Sequence, residues 1–107
     1  RNVNIWLIDM SKSQIIQRLY RSQHRYSHWR VLVDERDTLM AARLAWVVTE
    51  SLKKKETPCV LALVGAAHCE GIEALLREPP SISRNLRLLD LSFTPPTLIR
   101  RVAVIGD

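Results

Sequence analysis

A chain of 107 residues, 47% hydrophobic and 25% charged, suits one globular domain or part of one. Its net charge of +5 permits attraction to nucleic acid or anionic lipid and specifies neither. The two cysteines, Cys59 and Cys69, exclude a disulfide framework, and no apolar run approaches the roughly 18 residues of a transmembrane helix.

In chain order, Val3 to Asp9 is an apolar run of strand length ending in an acid. Ser11 or Ser13 can cap the helix that follows, with Ile15 and Leu19 on one stripe and Ile16 and Tyr20 beside it. Arg18, Arg21, Arg25 and Arg30, with His24 and His28, make this segment basic, and Tyr20, Tyr26 and Trp29 interleave it with aromatics. Single-stranded nucleic acid needs such a surface, but no nucleic-acid motif is present and an exposed helix accounts for it as well.

Val31 to Val33 is brief and apolar, one strand turn or a packing plug. Asp34 suits an N-cap, and Glu35 and Asp37 suit the positive end of a helix running to about Lys54. Met40, Leu44, Val47, Val48 and Leu52 form its buried stripe. Cys59 to Val64 reads as a strand buried on both faces, with Cys59 a small core residue. Ile72, Leu75 and Leu76 begin a helix that Pro79-Pro80 ends. Leu86 to Leu91 alternates weakly, as a third strand would. Pro95-Pro96 marks a linker, and Leu98 to Ile105 starts an apolar element that the end of the sequence cuts short. The expected fold is α/β: a small sheet of about three strands with helices packed on it, as part of a larger domain.

Two stretches carry chemistry. Gly65-Ala66-Ala67-His68 ends the central apolar run, where α/β sheets place their sites, so His68 projects from a strand's carboxyl edge. It can hold a metal or move a proton, or it is a helix-start histidine bonded to nearby backbone. Glu35 is a candidate metal ligand or general base and Arg36 an anion clamp or salt-bridge partner, against the alternative of a charged first helical turn. Cys69 adjoins His68, with no evident base to activate it.

The stretches VLVDERDTLMAARL, VLALVGAAHCEGI and FTPPTLIRR together resemble the C-terminal half of the TraB domain family. That family includes bacterial pheromone-shutdown proteins and a eukaryotic branch, and is distantly related to the Tiki-type metalloproteases. The shared pattern is Glu35-Arg36-Asp37 opening a helix, an apolar strand, Gly65-x-x-His68, then Gly71-Ile72. The diproline resembles the eukaryotic branch. Residues 1–30 look like a degraded first strand and basic helix, with Met10 where the family has arginine after Asp9. Residues 31–92 carry the motifs, and 93–107 form a proline linker and truncated tail. The family's first Gly-x-x-His is absent.

The resemblance implies a peptidase-like hydrolase built around a divalent metal, with zinc, manganese and cobalt as candidates. His68 and Glu35 would be ligands or acid–base groups, Arg36 an orienting partner, and Gly65 and Gly71 the shapers of the strand-to-helix turn. A catalytic metal takes about three protein ligands. Glu70 is the remaining candidate near His68 in sequence, and the chain by itself is expected to be inert. A role as a membrane-associated regulator, in an intracellular setting at the mitochondrial outer membrane, is equally compatible with the resemblance. The alternative is a non-catalytic interaction module, binding a protein partner or an anionic membrane through the basic helix and C-terminal segment. Nucleic acid is not an expected partner. The sequence leaves the substrate and the oligomeric state open.

Overall fold

The computed structural model describes residues 2–22 and 28–103. The readings that involve His24, Arg25, Tyr26 and Ile105 fall outside these residues.

Strand β1 (Asn2–Leu7) pairs antiparallel with β2 (Thr97–Ala103). The register steps between Ile5 and Trp6, which face Arg100 and Leu98, so Ile99 is the extra residue of a bulge in β2. Ser11 then caps helix α1 (Lys12–Arg21), its Oγ accepting from the Gln14 N–H at 3.2 Å. A wide π-helical turn (Arg30–Glu35) leads directly into α2 (Arg36–Lys53), with helix α3 (Ala66–Arg77) and helix α4 (Pro80–Leu88) following.

The core lies between α2, α3 and α4. Met40, Ala41, Ala42 and Leu44 of α2 meet Ile72 of α3 and Ile82 of α4. A second cluster joins Met10, Leu39 and Leu91, with Ile15, Leu86 and Leu89 packed on it. Arg43 ties the strands to this core. Its guanidinium donates to the carbonyls of Ile8 (3.0 Å), Asp9 (2.6 Å) and Thr94 (3.0 Å), and to Thr94 Oγ1 (2.9 Å). The end of β1 and the approach to β2 are thus held by one buried side chain.

The fold is α/β, as expected, but among the described residues its sheet has two strands rather than three. The apolar start at Leu98 becomes β2. Cys59 to Val64 makes no ladder, and Cys59 is exposed rather than in the core. Leu86 to Leu91 is not a strand: its first residues finish α4. The diproline at 79–80 ends α3 and also begins α4, because a proline in the first turn lacks only an N–H that would be orphaned there. Asp34 is not a cap, since the helical path passes through it and its carbonyl accepts from Thr38 Oγ1. Val31 is the packing plug, fully buried. In the α2 stripe Met40, Leu44 and Val47 are buried, Val48 is half-buried, and Leu52 is 58% exposed.

Candidate functional site: an aspartate–histidine pair at a strand-end cavity

Gly65 precedes α3 in extended backbone (φ −62°, ψ 147°), and the His68 N–H donates to the Gly65 carbonyl at 3.0 Å. This tight first turn directs the His68 side chain inward, where it is buried. Its Nδ1 lies 2.6 Å from Asp37 Oδ1, an interaction enclosed between α2 and α3. An ionised carboxylate only accepts, so opposite an ionised Asp37 it is Nδ1 that donates, and in the neutral imidazole Nε2 then keeps its lone pair.

Gly71 makes that approach possible. A Cβ at Gly71 would collide with Asp37 Oδ2 and stand 3.0 Å from Asp37 Cγ. Gly65 stands at the entry to α3, and Gly71 lies inside the helix, where the missing side chain leaves room for the Asp37 carboxylate. Burial pushes the Asp37 carboxyl above its ordinary pKa, and the His68 bond offsets this only in part.

His68 lines a cavity of about 250 Å3 with Trp6, Asp9, Arg36, Met40 and Leu63. Asp9 and Arg36 form its charged wall. Arg36 Nε donates to Asp9 Oδ1 at 3.1 Å and Nη2 to Oδ2 at 2.7 Å, a two-point clamp. Burial acts to raise the Asp9 carboxyl, but the Arg36 bonds and the Met10 N–H more than offset it and hold it below the usual range. The same clamp raises the Arg36 pKa. Arg36 is therefore the salt-bridge partner of Asp9.

Glu35 lies in a different cluster. Its fully buried carboxylate meets Arg18 Nε, and Arg30 Nε stands 3.7 Å from its other oxygen. Arg18 also donates to the carbonyls of Leu89 (2.8 Å) and Asp90 (3.3 Å) at the end of α4. Residues two apart on a helix point to nearly opposite sides, so Glu35 and Asp37 serve different neighbours. Two arginines of the expected basic surface, Arg18 and Arg30, turn toward this acid instead of solvent-borne partners.

The sequence reading missed Asp37 and Asp9 as site residues. Asp37 looked like a complement to the helix dipole. Its separation from Glu35 by two positions was the available signal, because only one of the two acids can face the Gly-x-x-His strand end. Glu70 is exposed on α3, and the exposed Cys69 thiol points to the Gly65 carbonyl at 3.8 Å.

A divalent metal finds a partial donor set here. A metal-binding imidazole commonly donates its other N–H to a carboxylate, as His68 does to Asp37. Asp9, however, already accepts both guanidinium bonds, Glu35 is enclosed elsewhere, and no group of three His, Cys, Asp or Glu side chains able to hold a metal occurs among the described residues. The described residues do not compose a three-ligand site. Among them, no helix is long and apolar enough to cross a membrane. No protein-family model, curated protein or solved structure matches the chain.

Proposed function

We propose that the chain is the histidine-bearing part of a TraB-like, peptidase-like hydrolase, in which His68 works as a general base oriented by Asp37. The observation that carries this reading is the buried 2.6 Å Nδ1–Oδ1 contact beside a cavity lined by the same imidazole. With Nδ1–H held by the carboxylate, Nε2 is left to accept a proton from water. The hydroxide so formed adds to an acyl carbon, and Asp37 stabilises the imidazolium until the leaving group takes the proton. The Asp9–Arg36 clamp lines the same cavity, and both of its carboxylate oxygens accept from the guanidinium. The packing of α2 on α3 supports the reading, because it joins Asp37 of the Glu-Arg-Asp motif to His68 of the Gly-x-x-His motif.

Hydrolysis of p-nitrophenyl acetate at pH 8 isolates the base from the demands of a peptide substrate. The assay uses the Cys59→Ser, Cys69→Ser background, since both thiols are exposed and would be acylated themselves. His68→Ala in that background should slow turnover on the order of 10²-fold, the lower end of general-base effects. Asp37→Asn should fall between the two. Equal rates with and without His68 would refute the assignment.

A further inference from the structure

Residues 59–64 have the sequence of a strand and the surroundings of an unfinished one. Ala62 and Val64 line a cavity of about 370 Å3 with Leu44, Ile72 and Leu76. Leu61 and Leu63 alternate with them and are 95% and 97% exposed. Among the described residues, no backbone group of 59–64 is hydrogen-bonded to another backbone group. An apolar strand with a bare edge is a template for a further strand. It is continuous with the site, since Gly65 and His68 follow directly.

The surrounding charge indicates what kind of strand fits. Lys53, Lys54 and Lys55 are exposed just before the segment, with Lys53 held by Glu50 at 3.0 Å. Glu56 is the acid among them, and in the lining of this cavity Arg77 is paired with Glu73. The end nearest Lys53–Lys55 is therefore basic, and the whole chain carries +5. A second copy would bring the same positive charge, whereas an acidic partner would be attracted.

We propose that residues 59–64 bind an extended peptide by strand addition, with apolar side chains over Leu61 and Leu63 and carboxylates over Lys54 and Lys55. As a substrate assignment this rests on the hydrolase reading: the far end of the same peptide is led to His68. Six residues of strand span about 20 Å, enough to fix a register.

The test is fluorescence anisotropy with fluorescein-labelled peptides of alternating valine and threonine. Two probes carry a pair of glutamates, one at each terminus, and controls carry lysines instead. At least one acidic probe should bind about tenfold or more tightly than its lysine control, with affinity falling as salt rises. Leu61→Pro and Ala62→Pro remove N–H groups that point to opposite edges of a strand, so one should abolish binding and the other spare it. Both lie outside the helices, and unchanged helical circular dichroism verifies their folding. His68→Ala should leave probe binding intact while slowing ester hydrolysis on the order of 10²-fold, so the strand proposal and the base assignment fail separately. Absence of binding, equal binding of acidic and lysine probes, or indifference to both prolines would overturn the proposal. So would a concentration-dependent dimer that excludes the probe, or binding to anionic vesicles with no binding of the peptide.

Discussion

Replacing Glu35 by alanine should unfold the protein before it disarms it. The side chain is fully buried, and its removal strands the Arg18 guanidinium, which is 11% exposed, without its counter-ion. Breaking a buried ion pair from one side costs about 3–5 kcal/mol. Arg18 also holds the carbonyls of Leu89 and Asp90, so the loss should loosen the contact of α1 with the end of α4. Urea denaturation should show a lower midpoint with an unchanged slope. Glu35→Gln, which keeps the volume and an acceptor, should lose less. A Glu35→Ala protein of unaltered stability but abolished ester hydrolysis would return Glu35 to the catalytic role that the Glu-Arg-Asp motif first suggested.

The second large effect is expected at Gly71. Alanine is ordinarily the better helix residue, by about 1 kcal/mol. Here its methyl group would occupy the space of the Asp37 carboxylate, which is enclosed between two helices and bonded to His68. The carboxylate cannot swing away without giving up that bond. Overpacking of this kind costs about 1–3 kcal/mol. The expected result is therefore a lower melting temperature together with ester hydrolysis reduced to the level of Asp37→Asn. A stabilised Gly71→Ala protein with full activity would show that the close approach of Asp37 to α3 is dispensable.

Much of this arrangement was legible in the residues. Of the two serines offered as the cap of α1, Ser11 is the one used, whereas the helix expected from Ile72 begins at Ala66, so His68 sits in its first turn rather than at a strand's edge. The α2 stripe followed from helical spacing as far as Val47. The strands were less legible, because an apolar run states what a segment can become and only its neighbour decides. Cys59 to Val64 has a strand's composition, yet no neighbouring strand pairs with it among the described residues. At the C-terminal end, Ile82, Leu86 and Leu89 recur at helical spacing and pack on the two core clusters. That period was readable, but the apparent alternation of 86–91 obscured it.

The site was half legible for a related reason. Charge patterns show which residues suit a helix start, but not which neighbour each one meets. Glu35, Arg36 and Asp37 are consecutive, and the helix sends them to three destinations: Arg18, Asp9 and His68. Fixing those destinations requires the packing of α1, the end of β1 and α3 around α2. The Asp9–Arg36 clamp spans 27 positions and the Asp37–His68 contact 31. Such pairings follow from topology, and one sequence does not state topology.

In the proposed site Asp37 fixes the His68 imidazole with its proton on Nδ1 and leaves Nε2 to accept. Long-range 1H–15N correlation spectra of the histidine-labelled chain at pH 8 read this directly, because the two ring nitrogens have distinct shifts in each tautomer. The wild type should show His68 locked with Nδ1 protonated, and Asp37→Asn should weaken that preference. A His68 carrying its proton on Nε2, or a mixture of the two tautomers, would contradict that assignment.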